Sequence, residues 1–346
     1  MVLGALLLVV AGAVLVGGSA LLGSGLADAA QARSMPVATV RAVVVGLAGA
    51  LAATIIAVGQ QRTALASGVP FGAAMFLLAS AFGAAALLGR RAVEVREPVS
   101  FAAPAAAVVL VSLSLSTDRA FTRIGGVLLT VVFIPYLAWV LLEPSPDTTH
   151  EDEDEPPHGP DVDPPVADGS AETLVGRDEP RPATTRPAGP DVETTAEPRP
   201  ARPRVALLAL GLALVVGGAF AAVEGATRIA ERAPLLSGFA GAALAGSLVA
   251  LPFTLLVVFP RRASADVDPP SATLTVVTGL LTFVPGVAAI VRPFEVDGPA
   301  AICVLATALL YALAATWMLV RGRGGRAMGA LVLATYAACL LYAGSL

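Results

Sequence analysis

The 346-residue chain is 56% hydrophobic and only 14% charged, with a mean hydropathy of +0.79, which excludes an ordinary soluble globular protein, where about a quarter of residues carry charge. Its 22 basic residues are all arginine and its 26 acids leave a formal net charge of −4. Two cysteines, Cys303 and Cys339, are too few for a disulfide framework.

Ten stretches of at least 19 residues contain no Asp, Glu or Arg: 1–27, 42–61, 63–89, 98–117, 124–142, 205–223, 233–260, 269–291, 298–320 and 327–346. About 20 apolar residues, rising 1.5 Å each, span a hydrocarbon core of roughly 30 Å. A helix satisfies its own backbone there. The pattern predicts an all-α integral membrane protein with ten transmembrane helices. Run 1–27 is read as a true span. A cleaved leader would need a positive start and a shorter apolar part.

Residues 143–204 differ in kind. They hold 16 of the 26 acids, six arginines, both histidines and 14 of the 27 prolines. Such a segment cannot bury enough apolar surface to fold alone. It reads as a disordered acidic linker between two membrane repeats, 1–142 and 205–346, of five helices each. Two histidines among the acids near 150–165 lack the spacing of a calcium loop, so a solvated linker is expected there. With the N-terminus outside, ten arginines fall in short inner loops and six in short outer ones. Arg90 and Arg91, Arg261 and Arg262, and the trio Arg321, Arg323 and Arg326 all lie inside. The positive-inside rule then puts both termini outside and the linker in the cytoplasm, and the chain is expected in the plasma membrane.

The chain also repeats itself. Residues 13–27 match 213–227 at Ala13/Ala213, Val16/Val216, Gly17/Gly217, Gly18/Gly218 and Gly25/Gly225. Both matches open a five-helix half. An odd number of spans makes a second copy enter from the opposite face, giving inverted repeats, as in many secondary transporters.

Near the end of each half, 121–141 and 322–342 carry Arg123, Gly126, Leu128 and Leu129, and Arg326, Gly329, Leu331, Tyr336 and Tyr342. These residues resemble a recurrent Arg-x-acid-Gly segment of the cation/calcium exchanger family, which contains the sodium/calcium exchangers. The acid before the glycine is replaced by Gly125 and Met328. The resemblance implies two inverted five-helix repeats around a cytoplasmic loop. It also implies an ion site on two Gly-(Thr/Asn)-Ser-x-Pro-Glu stretches, one in the second helix of each half. The matching stretches here are 48–53 and 245–250. They carry Gly49 and Gly246, and read Ala53 and Ala250 at the glutamate positions. In the following helices the Asn-bearing stretches are replaced by residues 72–74 and 275–277.

Outside the linker ten acids remain, and none falls inside an uncharged run. Calcium takes six to eight oxygens, usually with carboxylates among them. Intramembrane ionisable groups mark ion pathways. Ordinary calcium exchange is therefore doubtful. The substrate-pathway candidates are Gly49, Ala53, Thr54, Gly246, Ser247, Ala250 and Pro252, with Pro252 able to interrupt its helix. Small and hydroxyl residues also serve plain helix packing.

Two functions follow. One is an exchanger-like transporter with an altered ion site, moving a monovalent cation or another small solute by alternating access. The other is a transport-inactive protein of the same fold that regulates or assembles with a protein partner through its linker. The lipid bilayer is the surrounding in both. No motif suggests an enzyme, a cofactor, a structural metal or nucleic-acid binding.

Overall fold

The computed structural model describes residues 2–31, 37–84, 102–142, 201–232, 240–258, 269–296, 298–321 and 326–345. Residues 1–143 and 201–346 form one compact unit. Residues 144–200, the bulk of the acidic linker, lie outside the described residues, as do Arg90, Arg91, Arg261, Arg262 and Arg323.

Helix dominates. In chain order the helices are α1 (Val2–Gln31), α2 (Val37–Gly59), α3 (Thr63–Leu77), α4 (Ala102–Asp118), α5 (Arg123–Leu142), α6 (Ala201–Arg232), α7 (Ser247–Val258), α8 (Pro269–Leu281), α9 (Phe283–Val291), α10 (Gly298–Arg321) and α11 (Arg326–Ser345). Among the described residues two π-helical segments adjoin them. Leu78–Ala84 continues α3, and Ala240–Gly246 leads into α7. Strands β1 (Ala120–Phe121) and β2 (Phe294–Glu295) pair antiparallel, with Ala120 opposite Glu295.

Each uncharged run therefore carries helix. Among the described residues seven helical stretches are long and apolar enough to cross a membrane, and three apolar helices, Pro104–Ser116, Ala301–Trp317 and Ala327–Tyr342, are shorter. Two boundaries differ from the sequence reading. Helix α6 begins at Ala201, inside the segment assigned to the linker, because Pro203 fits a first helical turn, where its missing N–H is not needed. The run 269–291 splits at Thr282 into α8 and α9. There Pro285 cannot donate to the carbonyl of Leu281. The hydrogen bonds Thr282 N to Thr278 O and Gly286 N to Thr282 O carry the chain through the bend.

The turn from α2 to α3 is tight. Gln61 takes φ 62°, Arg62 N donates to Ala57 O at 2.9 Å, and Gln61 N donates to Val58 O at 3.0 Å. This closes α2 in a Schellman cap with a left-handed residue after its end.

Helices α1 and α6 run antiparallel along a glycine seam. A Cβ on Gly18 would lie 2.9 Å from the Val215 amide, and one on Gly218 would lie 3.1 Å from the Leu15 amide. A Cβ on Gly25 would meet Leu208 at 2.8 Å, and one on Gly225 would meet Leu8 at 3.1 Å. Adding 200 to one residue of a contact, and subtracting it from the other, generates its mate. On the neighbouring crossing, Gly49 of α2 faces Val249 of α7, its own counterpart at that spacing. In a bilayer, where lipid is as apolar as leucine, such close approach of small residues drives helix association.

Adjacent glycines on these helices provide a controlled comparison. Nothing lies within 4 Å of a Cβ on Gly17 or Gly217. Gly18→Ala and Gly218→Ala are expected to destabilise by about 1–3 kcal/mol through overpacking. Gly17→Ala and Gly217→Ala are expected to stabilise by up to about 1 kcal/mol through helix propensity. Thermal unfolding of the detergent-solubilised protein distinguishes the two pairs.

Candidate functional site

The buried centre is built by α2, α3, α7 and α8. Its helices cross at backbone distance. A Cβ on Gly46 would meet Val276 of α8 at 2.5 Å, and one on Gly246 would meet the Ala73 amide of α3 at 2.8 Å. Gly72 of α3 abuts the backbone of Ala242, and Gly241 abuts that of Leu65. Gly49 and Gly246, singled out in the sequence, thus lie at crossing points of the core.

The candidate pathway residues fall on several faces of this core. Gly49 lies at the α2–α7 crossing, and Gly246 lies against α3. Ala53 and Ala250 are fully enclosed by apolar neighbours. Thr54 is buried and donates to Ala50 O of its own helix at 2.7 Å. Ser247 is half-buried and shares a 3.1 Å hydrogen bond with the Tyr336 hydroxyl. Pro252 is buried within a continuous α7. The change of helical form lies a turn earlier, between Gly246 and Ser247.

The spacing of 200 places Thr54 opposite Thr254 and Ala50 opposite Ala250. Both threonines make the same bond, since Thr254 donates to Ala250 O at 3.2 Å. This register differs by three residues from the motif register that aligns Ala53 with Ala250.

A second set of hydroxyls is less visible in the sequence. Tyr136 of α5 lies 3.3 Å from the Thr275 hydroxyl, and Tyr311 of α10 lies 2.8 Å from the Thr278 hydroxyl. Thr278 and Thr282 also donate to Leu274 O and Thr278 O of α8. On the other side, Ser80 lies 3.3 Å from Thr254. Three of the four tyrosines, Tyr136, Tyr311 and Tyr336, thus reach from α5, α10 and α11 to hydroxyls on α7 and α8. Their signal in the sequence is a tyrosine in the interior of an apolar run, whose hydroxyl needs a partner once buried.

The described carboxylates all lie near helix ends or in β2. Glu224 accepts from Arg228 Nε at 2.8 Å and stands 3.9 Å from Arg62, which also donates to the Thr227 hydroxyl. This cluster ties the α2–α3 turn to the last turns of α6. Glu224 is thus held between two guanidiniums. Among the described residues no group of three His, Cys, Asp or Glu side chains could hold a metal ion. A groove of about 480 Å³ runs between α4 and α10, lined by Ser112, Leu115, Arg119 and Leu305 among others. It is lateral to the central helices.

No protein-family model matches the chain, and no curated protein matches it. Solved structures do. The H+/Ca2+ exchanger CAX superposes with a TM-score of 0.67 at 14% identity, covering 98% of this chain and 82% of that one. The sodium-calcium exchanger NCX_Mj, soaked with 10 mM Na+ and zero Ca2+, superposes with a TM-score of 0.56 at 19% identity over 98% of both chains. Its crystal at zero Na+ and Ca2+ gives 0.54 at 18% over 99% of both. The chain is a multi-pass membrane protein with the fold of these exchangers.

The hydroxyl network separates two kinds of threonine. Tyr311→Phe deprives Thr278 of a buried partner and is expected to cost about 1 kcal/mol. Thr54→Val removes a bond made only within one helix and is expected to change stability by less than about 0.5 kcal/mol. Unfolding midpoints of the two variants in one detergent check the contrast.

Proposed function

We propose that this chain is an exchanger-fold transporter with an altered ion site, built from two inverted five-helix repeats and carrying a monovalent cation or another small solute by alternating access. One observation carries the reading. The central runs 42–61, 63–89, 233–260 and 269–291 hold no carboxylate, while hydroxyls and backbone carbonyls remain. The Born cost of taking an ion out of water rises with the square of its charge. A calcium ion in this core would lack the carboxylates that usually offset it. A monovalent ion can be met by hydroxyl and carbonyl oxygens alone.

The repeat reading is supported by the paired contacts of the glycine seam. Exchanging the ends of a contact between antiparallel helices amounts to a half-turn about an axis across them. Such an axis relates halves of opposite orientation. The arginine distribution favours outer termini and a cytoplasmic 143–204 segment.

A second reading is a transport-inactive protein that uses the acidic segment to hold a protein partner. The direct backbone contact of Gly72 with Ala242 favours it, because it leaves no room for an ion at that crossing.

Flux into vesicles containing the purified protein separates these readings. The expected result is no calcium uptake driven by a sodium or proton gradient, together with flux of a monovalent cation. Calcium exchange at an ordinary rate sinks the altered-site reading. Absence of every flux, with a partner that co-purifies only when 143–200 is present, favours the inactive reading.

Two double variants test the register. Ala53→Glu with Ala250→Glu is expected to create divalent-cation binding if the motif register faces the pathway. Thr54→Glu with Thr254→Glu is expected to do so if the 200-residue spacing governs. Calcium-45 binding to each purified variant decides.

A further inference from the structure

The two cysteines stand 36 positions apart on different helices, and the fold brings them to one cavity. Cys303 and Thr307 lie one turn apart on α10, and Tyr336 and Cys339 lie one turn apart on α11. All four line a cavity of about 20 Å³, which is room for a single water-sized guest. Met75 of α3 lines the same cavity and is buried, with 3% of its surface exposed. Two thiols and a thioether, from three helices, therefore surround one small space.

Two hydroxyls also border this space. The Thr307 hydroxyl donates to Cys303 O at 2.6 Å, and the Tyr336 hydroxyl is bonded to Ser247 at 3.1 Å. Both cysteines are free thiols and half-buried. Three sulfur-bearing residues outnumber the two hydroxyls, and the rest of the lining is apolar, from Phe71, Gly72, Ala242 and Leu340. Thiolate and thioether ligands select soft metals, copper(I) foremost. Hard cations such as magnesium or calcium prefer oxygen.

We propose that Met75, Cys303 and Cys339 form a binding site for one soft monovalent metal ion, copper(I) or its analogue silver(I). On binding, one thiol gives its proton to water and becomes the thiolate. The other thiol and the thioether bind as neutral donors. The ion's single positive charge is then cancelled by the one thiolate, so no net charge is buried, as a low-dielectric site requires. A bound ion ties α10 and α11 to α3, next to the Gly72–Ala242 crossing. The site does not depend on the transport reading and stands if no flux is found.

Silver(I) is the probe, since it does not itself undergo redox chemistry with thiols as copper does. The full-length protein is reduced, freed of reductant in chloride-free buffer, and checked for two reactive thiols per chain. It is then loaded with silver(I), desalted and analysed for bound metal. One silver per chain is expected, with sulfur neighbours in its X-ray absorption spectrum. Competition titration is expected to show a loss of more than about 100-fold for Cys303→Ser or Cys339→Ser and about tenfold for Met75→Leu, given that even outer-shell changes cost 10–100-fold. Met75→Leu nearly conserves volume, so it keeps the test open if a cysteine variant folds poorly. Protection of both wild-type thiols from N-ethylmaleimide by one equivalent of silver gives the same information without any variant. No silver retained by protein with two free thiols overturns the site. Affinity unchanged in both the Met75 variant and the cysteine variants also overturns it.

Discussion

The structure depends on how closely helix backbones approach one another in a medium that gives apolar side chains no reason to associate. Lipid tails solvate leucine as well as another leucine does, so burial alone cannot order these helices. Close packing can, because dispersion falls steeply with distance and is large only when many atoms touch. Glycine removes the side chain that would hold two helices apart. The seam of α1 on α6 and the crossings of α2 on α7, α2 on α8 and α3 on the Ala240–Gly246 segment all pass through a glycine. The Ala- and Gly-rich composition is thus the means by which the core is held together. It also leaves little free volume at the crossings.

Polar groups then supply direction. The central helices carry hydroxyls, and most of these donate to a carbonyl one turn back in the same helix, as Thr54, Thr254, Thr278 and Thr282 do. Such bonds satisfy the group without specifying a neighbour. The tyrosines are different. Tyr136, Tyr311 and Tyr336 each bond a hydroxyl on another helix, and the last two span the distance from α10 and α11 to α8 and α7. They fix the rotation of outer helices. Aromatic contacts add to this, with Phe133 5.3 Å from Phe283 and Phe71 stacked on Phe121 at 6.1 Å.

Much of this was legible in the sequence because charge is so unevenly distributed. A run without Asp, Glu or Arg is a direct statement about solvent, and every such run contains helix. Interruptions within the runs were not legible. Helix α8 breaks from α9 three residues before Pro285, which withholds one donor. Pro252, chemically the same, sits in a helix that continues through it. The outcome is decided by what surrounds the freed carbonyl, and sequence periodicity carries none of that information. The partners of the central hydroxyls were equally hidden, since Tyr136 and Thr275 are 139 residues apart. The seam, by contrast, was half visible. The pairs Gly18/Gly218 and Gly25/Gly225 appear as a weak repeat, and their meaning emerges only when each glycine is found against the other half.

The two halves are alike along the seam and unlike at the π-helical segments. In the first half the π form follows the third uncharged run's α-helix, at Leu78–Ala84. In the second half it precedes α7, in the run corresponding to α2, at Ala240–Gly246. A π turn carries one residue more than the α-helical register allows and is a local strain in the backbone. Under the proposed two-fold relation, sequence similarity gives no reason for the strain to fall in different helices of the two halves. An exchange of the two local forms would leave the α1–α6 seam in place and move Ser80, Thr254 and Ser247 relative to their partners. The contact of Ser80 with Thr254, which joins the halves, and that of Ser247 with Tyr336, within the second half, would then be the ones that change.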